Sequence, residues 1–261
     1  MGTIAVTGSA SGIGAATAER LRADGHRVIG VDLRDAEVCA DLSTPAGRQE
    51  AVGAVAGACG GSLDGLVTCA GIPGDIHPGE RVISVNYFGS AALLDGLRPA
   101  LARGSQPSAV AISSLSTTVV PDVPEDVIDA CLEGDEASAR SRVEKRGWAA
   151  YAASKIAIAR FVRRRAVRGD WVGAGIRLNA VAPGRIRTAL DAALLADERM
   201  RPVLEALPIP VGEAGRPEDV AGVVRFLLGS EARFFCGSIL YMDGGSEAWM
   251  RPDAQPPTFH T

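Results

Sequence analysis

A tyrosine and a lysine, Tyr151 and Lys155, stand four residues apart in a stretch with helical patterning. Positions i and i+4 share one helix face, so the phenol and the ammonium group are neighbours. A free phenol has a pKa near ~10, and we expect the neighbouring cation to lower it. Ser114, which follows a predicted strand, could donate a hydrogen bond to a substrate oxygen and hold it against Tyr151. These residue types suit proton transfer between an alcohol and a carbonyl compound.

A glycine-rich turn near the N-terminus could supply the partner for that chemistry. Gly8, Gly12 and Gly14 lie between a short apolar run and a helical segment. Backbone N–H groups and the positive end of the helix dipole would bind a phosphate there. Asp32 lies about 20 residues further on, where a carboxylate can bind ribose hydroxyls and repel a 2′-phosphate. The pattern predicts NAD(H) rather than NADP(H), although Arg34 nearby weakens that preference.

Alternating strands and helices position these residues. We predict strands at 3–7, 27–31, 36–40, 66–68, 109–112, 175–181 and 237–242. We predict helices at 13–21, 46–58, 81–103, 125–146, 148–168, 190–207 and 217–228. This alternation indicates an α/β fold: a Rossmann-type doubly wound parallel seven-stranded sheet with helices on both faces. We expect one NAD(P)-binding domain over 1–261, with a helical insert at about 115–147 and an irregular tail at about 249–261. The predicted core residues of 81–103 are Val82, Val85, Phe88, Leu93, Leu94 and Leu97.

Composition excludes several other classes of protein. The net charge of −4 argues against nucleic-acid binding. Five dispersed cysteines without a CxxC pair, and only three histidines, predict no metal site and favour a reducing, cytoplasmic location. The early first strand is expected to leave no room for a signal peptide, and no apolar run has the length of a membrane span.

In their joint order, these motifs resemble the short-chain dehydrogenase/reductases over nearly the whole chain. Residues 7–14 match the TGxxxGxG cofactor turn of that family. The resemblance implies four catalytic residues, which are Asn86, Ser114, Tyr151 and Lys155. It also implies cofactor contacts for NAD(H) at Gly8, Ser11, Gly12, Ile13, Asp32, Asp41, Leu42, Ala70, Gly71, Tyr151, Lys155, Pro183, Gly184, Ile186 and Thr188. In the family, the asparagine supports the lysine and a water relay, and the lysine can hold the nicotinamide ribose.

Two departures from the family pattern stand out. Cys69 occupies the place of an asparagine in the usual Asn-Asn-Ala-Gly run, and we interpret it as a buried small residue rather than a reactive thiol. The separation between Ser114 and Tyr151 is unusually long. Three features together resemble the bacterial 3α-hydroxysteroid dehydrogenase/carbonyl reductases: this long separation, the sequence of residues 32–44 and the sequence of residues 248–252 near the C-terminus. That resemblance implies an apolar alcohol or ketone substrate, such as a steroid. In the family, helices corresponding to 81–103 and 148–168 commonly form a tetramer interface. The insert at about 115–147 could cover that surface, so we expect a homodimer that forms through residues 217–242.

The substrate itself stays open at this stage. An apolar surface over the nicotinamide end is predicted from Leu190, Leu194, Leu195, Met200, Val203 and Leu207. A second hypothesis is a short-chain dehydrogenase for another apolar alcohol or ketone, such as a terpenoid or a cyclic ketone. A third is a dinucleotide-binding protein without catalysis. The presence of Asn86, Ser114, Tyr151 and Lys155 argues against the third hypothesis.

Overall fold

A seven-stranded parallel sheet runs through the computed structural model, which describes residues 1–74, 76–144 and 146–254. The strands are β1 (Thr3–Thr7), β2 (Arg27–Asp32), β3 (Val38–Cys39), β4 (Gly65–Thr68), β5 (Ser108–Ile112), β6 (Arg177–Pro183) and β7 (Ile239–Met242). Their order in the sheet is β3-β2-β1-β4-β5-β6-β7, and every neighbouring pair is parallel. The predicted sheet is confirmed. The strand predicted at 36–40 is shorter than expected.

Helices cover both faces of this sheet. They are α1 (Gly12–Ala23), α2 (Pro45–Ala58), α3 (Gly79–Ile83), α4 (Ser90–Leu101), α5 (Ser116–Val119), α6 (Glu125–Glu133), α7 (Glu136–Glu144), α8 (Ala150–Ala166), α9 (Ala189–Ala196), α10 (Arg201–Glu205), α11 (Pro217–Leu228) and α12 (Ser246–Met250). On β1, Ile4 and Val6 face a cluster completed by α1 and α11, and Ala5 faces the larger cluster beneath α2, α4 and α8. Alternate residues of one strand are therefore buried on opposite faces.

The strand order reverses between β1 and β4, which places a crevice at their carboxyl ends. From β1 the chain proceeds outward to β2 and β3, and from β4 it proceeds the other way to β7. In open parallel sheets such a reversal is where ligands bind. The glycine turn after β1 and the segment after β4 both lie at this crevice.

The helix predicted at 81–103 is interrupted. Residues Ser84–Gly89 form a π-helix between α3 and α4. Five of the six predicted core residues are buried, but the prediction for Val85 is wrong because it is half-buried and lines a cavity. A π-helical turn contains an extra residue, which changes the face on which a side chain lies.

The helical insert consists of two helices rather than one predicted stretch. Gly134, with φ of +80°, ends α6 in a left-handed conformation, and α7 begins two residues later. Helix α6 packs on α8, and α7 packs on α3. Residue 145 of the predicted stretch lies outside the described residues.

Two further predictions need correction near the C-terminus. The segment 190–207 forms two helices, α9 and α10, and Asp197 between them accepts hydrogen bonds from Arg199 N at 2.8 Å and Met200 N at 3.3 Å. Trp249 and Met250 belong to α12 and not to an irregular tail. Residues 255–261 of that predicted tail lie outside the described residues.

No helix in the described part of the chain is both long and apolar enough to cross a membrane. Within the same ranges, no group of three or more His, Cys, Asp or Glu side chains is arranged to hold a metal ion. All five cysteines are free thiols.

Candidate active site

The glycine turn after β1 is sterically fixed against the end of β4. Gly8 has φ of +68°, and a β carbon there would lie 2.9 Å from Ala70 N. A β carbon on Gly14 would lie 2.0 Å from Gly8 O. Ala70 N in turn donates to the Thr7 hydroxyl at 3.0 Å. Only glycine fits this close approach of backbone to backbone.

The start of α1 leaves N–H groups for a ligand. Its N-cap residue, Ser11, makes no side-chain capping bond, and no acidic residue lies in the first turn. The first N–H groups of a helix have no partner within the helix, and the dipole there favours an anion. The turn and the helix start therefore fit a phosphate group.

The Asp32 carboxylate is held at the edge of the same crevice. It accepts hydrogen bonds from Ala10 N at 3.0 Å and Leu33 N at 2.7 Å. Each carboxylate oxygen keeps further acceptor capacity, so ribose hydroxyls could also bind. The Arg34 side chain next to this position is 86% exposed.

A cavity of about 340 Å³ joins these groups. The predicted cofactor residues that line it are Gly8, Ser11, Gly12, Ile13, Asp32, Asp41, Leu42, Ala70, Gly71 and Thr188. Lining residues that the sequence analysis missed include Leu33, Ala40, Ile72, Arg81 and Val85. Hydrogen bonds from Ser43 lower the pKa of Asp41, and the charge of Arg81 lowers it further. The Asp41 carboxyl group thus stays ionised.

A second cavity, of about 350 Å³, adjoins the first. Ser114 and Tyr151 line it together with Pro183, Gly184 and Ile186. The residues Ile13, Thr188 and Leu190 line both cavities. The two hydroxyl groups predicted to handle the proton therefore lie where a cofactor cavity meets an apolar one.

Lys155 lines neither cavity and is only 4% exposed. Its ammonium group donates to Ile112 O at 2.9 Å and lies 5.6 Å from the centre of the Tyr151 ring. The Ser113 hydroxyl donates to Lys155 O at 3.0 Å, which ties α8 to the end of β5. The predicted tyrosine–lysine pair thus shares one face of α8.

The expected lowering of the tyrosine pKa is wrong for this structure. Burial raises the pKa of Tyr151, and hydrogen bonding by the Ser114 side chain opposes that rise. Burial also lowers the pKa of Lys155 to about 8. Desolvation is therefore the largest cause of both pKa shifts, and it disfavours the charged form of each group.

Asn86 is buried in the middle of the π-helix and is held on three sides. Its side-chain oxygen accepts from Ile72 N at 2.8 Å. Its amide nitrogen donates to Ile72 O at 3.0 Å and to the Ser154 hydroxyl at 3.3 Å. Ser154, which was not predicted as a site residue, also donates to Tyr151 O at 2.7 Å. Its position directly before Lys155 was the sequence feature that could have indicated a role at the site.

Gly71 separates Asn86 and Lys155 from the first cavity. A β carbon on Gly71 would lie 3.3 Å from Asn86 Oδ1 and 3.5 Å from Lys155 Nζ. Cys69, two residues earlier, also lines that cavity, and burial raises the pKa of its thiol to about 12. At neutral pH this thiol is protonated, in keeping with its interpretation as an unreactive residue.

The second cavity is mainly apolar beyond Tyr151. Five of the six predicted substrate residues line it: Leu190, Leu194, Met200, Val203 and Leu207. The prediction for Leu195 is wrong, because that residue faces α1 across a separate surface cleft with Ala15 and Ala16. Lining residues that were missed include Pro73, Leu115, Val119, Val120 and Leu204. Of these, Leu204 lies one turn after Met200, which was a usable signal.

Comparison with known proteins identifies the family. Residues 2–123 match the family described as short chain dehydrogenase, and residues 136–247 match enoyl-(acyl carrier protein) reductase. Over 97% of this chain and 99% of the relative, the sequence is 42% identical to 3-alpha-hydroxysteroid dehydrogenase/carbonyl reductase of Comamonas testosteroni. The chain belongs to the short-chain dehydrogenase family. The predicted family is confirmed, and with it the prediction of an oxidoreductase that acts on CH–OH groups.

Other short-chain dehydrogenases are also similar to this one. Cis-4-hydroxycyclohexanecarboxylate dehydrogenase of Sinomonas cyclohexanicum is 36% identical, over 93% of this chain and 95% of that protein. The crystal structure of 3-alpha-hydroxysteroid dehydrogenase from Pseudomonas sp. B-0831 complexed with NADH has a TM-score of 0.93 and 48% identity. That match covers 98% of this chain and 100% of the other.

The buried lysine gives this short-chain dehydrogenase a pH-dependent stability. The folded pKa of Lys155 is about 8, against 10.5 for an ordinary lysine. Between about pH 8 and 10.5, Lys155 has lost its proton in the folded protein but still carries it in the unfolded chain. The free energy of unfolding therefore increases as the pH rises through this range. We expect the free energy of unfolding to rise over this range by up to ~3 kcal/mol more in the wild type than in Lys155→Met. Chemical denaturation of both proteins without cofactor measures this difference, and parallel pH curves would contradict it.

Proposed function

We propose that this chain is an NAD(H)-dependent oxidoreductase that interconverts a secondary alcohol and a ketone, with 3α-hydroxysteroids and their 3-oxo forms as its substrate class. One observation carries the proposal. The Ser114 and Tyr151 side chains lie in an apolar cavity that adjoins the glycine-turn cavity. A flat, apolar ketone in the second cavity would thus meet both hydroxyls and a dinucleotide in the first.

The residues of the first cavity fit NAD(H). The glycine turn and the start of α1 offer N–H groups to the two phosphates, and Asp32 offers acceptors to the adenosine ribose. Thr188 Cγ2 lies 3.5 Å from a β carbon built on Gly12, so the end of the Pro183–Thr188 segment lies beside the glycine turn. That segment could hold the nicotinamide carboxamide. When bound, NAD(H) supplies the hydride exchange of the reaction.

The remaining steps belong to the side chains of this chain. The Ser114 hydroxyl orients the substrate oxygen against Tyr151. The Tyr151 phenol donates its proton to that oxygen during ketone reduction, and the Tyr151 phenolate accepts the proton of the hydroxyl group during alcohol oxidation. Lys155 holds positive charge beneath the ring when protonated and can bind the nicotinamide ribose. Asn86, fixed between Ile72 and Ser154, supports the lysine and a water relay to solvent.

A second candidate substrate class is favoured by one comparison. The relative from Sinomonas cyclohexanicum is a dehydrogenase of a hydroxylated cyclohexane. Smaller cyclic or terpenoid alcohols and ketones are therefore the alternative to steroids. A protein without catalysis remains a poor alternative, because the catalytic hydroxyls, the lysine and the asparagine are brought together.

A substrate panel tests the proposal. The full-length protein is mixed with 3α-hydroxy and 3-oxo steroids, cyclic alcohols and ketones, and each of NAD(H) and NADP(H), and NADH absorbance is followed. We expect the highest kcat/KM for the 3α-hydroxysteroids with NAD. A preference for cyclohexanols would favour the second class. No turnover with any member would contradict the proposed oxidoreductase.

The preference for NAD over NADP is expected to depend on Asp32. Replacing Asp32 with alanine removes the acceptor for the ribose hydroxyls and the repulsion toward a 2′-phosphate. We expect the ratio of kcat/KM for NAD over NADP to fall by about 10²-fold. Arg34→Ala is the opposite control: it removes a positive charge that would attract the 2′-phosphate, so the ratio should not fall. An unchanged ratio in Asp32→Ala would instead show that the geometry of the loop around Arg34, and not the Asp32 carboxylate, sets the preference.

A homodimer through residues 217–242 is also part of the proposal. The packing of α6 on the long helix α8 supports it, and α7 packs on the short helix α3 at the start of the segment 81–103. The insert thus covers part of both segments that pair in family tetramers. Phe234, within the proposed interface, is 96% exposed in the single chain. Sedimentation equilibrium should give a dimer, and a tetramer would contradict this assembly.

We further propose one NAD-binding domain over residues 1–261 in the cytoplasm. The single sheet supports the domain, and five free cysteines favour a reducing compartment. A net charge of −4 gives no reason to expect nucleic-acid or membrane partners. Detection of the protein in an oxidising compartment would contradict the location.

A further inference from the structure

A buried arginine outside both cavities connects the helical insert to the proposed site. Arg48, on α2, is only 6% exposed. Its guanidinium group forms a bidentate ion pair with Glu136, the first residue of α7. A buried ion pair is weak evidence for stability, because desolvation offsets the attraction between its charges. The other contacts of Arg48 indicate a role in positioning rather than in stability.

The same guanidinium binds two backbone carbonyls from two other elements. Arg48 Nη1 donates to Leu42 O at 3.3 Å and to Ser84 O at 3.2 Å. Leu42 lines the cofactor cavity, and Ser84 is the first residue of the π-helix. One side chain therefore holds the cofactor-cavity wall, the π-helix and the insert at fixed distances from one another.

The insert also holds the side chain of Ser84. The Ser84 hydroxyl donates to Glu136 Oε1 at 2.7 Å and accepts from Arg140 Nη1 at 3.1 Å. Glu136 and Arg140 are four residues apart on α7, so both reach the same residue. Ser84 is fully buried, which makes each of these bonds costly to lose.

Asn86 follows Ser84 by two residues in the same π-helix. A π-helical turn is rare and is often found at functional sites. The side chain of Asn86 makes its three hydrogen bonds only if this turn keeps its position relative to Ile72 and Ser154. The contacts at Ser84 fix the start of that turn from outside.

We propose that Glu136 and Arg48 are positioning residues, through which the insert holds the π-helix and so orients the Asn86 amide. This inference rests on the catalytic role of Asn86 in the proposed function. Without the Glu136 charge, Arg48 is buried without a counter-ion, and the Ser84 hydroxyl loses its anionic acceptor. The π-helix is then free to shift, and the Asn86 amide loses its alignment.

The test compares Glu136→Gln with a matched control in the same insert. Glu125, on α6, also pairs with a helix of the site, through Arg160 of α8 at 2.8 Å, but on the surface. We expect Glu136→Gln to lower kcat about tenfold while KM for cofactor and substrate changes less than about threefold. Glu125→Gln should keep wild-type kinetics. Equal kinetics for wild type and Glu136→Gln would overturn the inference.

A double-mutant cycle separates positioning from general destabilisation. If Glu136 acts through Asn86, Glu136→Gln should cause no further loss of kcat in an Asn86→Ala background. The same fold loss in both backgrounds would overturn the inference. Should Glu136→Gln fail to fold, Ser84→Ala replaces it in the same cycle, with the same two outcomes.

The cycle also distinguishes failure of the inference from failure of the proposed function. If Asn86→Ala lowers kcat and Glu136→Gln does not, only the inference fails. If Asn86→Ala keeps wild-type kcat, the proposed role of Asn86 fails, and the inference fails with it. Thermal unfolding of each variant, followed by circular dichroism, verifies that rates are measured on folded protein.

Discussion

Replacing Tyr151 with phenylalanine should lower kcat by about 10³-fold while leaving NADH binding nearly unchanged. The change removes only the hydroxyl group that donates or accepts the proton. The ring remains, so the cavity keeps its shape and Lys155 keeps its position 5.6 Å from the ring centre. Steady-state kinetics with the best substrate of the panel, together with NADH fluorescence titration, measures both quantities.

Tyr241→Phe is the matched control for this prediction. The Tyr241 hydroxyl lies 3.3 Å from the Thr117 hydroxyl, and neither residue lines either of the two cavities. Its loss should leave kcat within about twofold of the wild type. Normal turnover by Tyr151→Phe would refute the assignment of the proton to this phenol.

The same residue predicts how the rate depends on pH. Because burial raises the pKa of Tyr151, the phenol is protonated at neutral pH. Alcohol oxidation needs the phenolate, so its kcat should rise with pH through the neutral and mildly alkaline range. Ketone reduction uses the phenol and should stay level over that range.

The second large effect is expected at the glycine turn. In Gly14→Ala, the new β carbon would lie 2.0 Å from Gly8 O, a contact that backbone atoms cannot relieve without opening the turn. We expect the Kd for NADH to rise by at least about 10²-fold, because the phosphates lose aligned N–H donors. Fluorescence titration with NADH measures this loss.

Gly53→Ala provides the control, since a β carbon on Gly53 has nothing within 4 Å. It lies within α2, where alanine is favoured over glycine by up to ~1 kcal/mol. This variant should bind NADH normally and be slightly more stable. If Gly14→Ala bound NADH as well as Gly53→Ala does, the turn would not be the phosphate site.

Most of the sheet, and the oxidoreductase chemistry on CH–OH groups, could be predicted from the sequence because both depend on local residue patterns. Apolar runs predict strands that are buried on both faces. The turn after β1 requires glycine at Gly8 and Gly14 because a β carbon would clash with backbone, so the spacing of these glycines is visible in the sequence. The i and i+4 spacing of Tyr151 and Lys155 gave their shared helix face. Contacts between distant elements, such as Ser154 with Asn86, leave no comparable pattern.

The errors have physical causes of the same kind. A single extra residue in the π-helix moved Val85 from the core to a cavity, and helical periodicity cannot show such a shift. The pKa of Tyr151 depends on burial, which a sequence reports poorly, more than on its lysine neighbour. Arg48 and Glu136 look like surface charges in sequence, yet the fold buries one against the other.

The most direct test of the account is the transfer of deuterium from the substrate to the cofactor. A 3α-hydroxysteroid carrying deuterium at the carbinol carbon is incubated with the full-length protein and NAD, and both products are analysed by mass spectrometry. We predict one deuterium in each NADH formed, in equal amount to the 3-oxo steroid. Formation of the ketone with unlabelled NADH, or no ketone at all, would contradict the account.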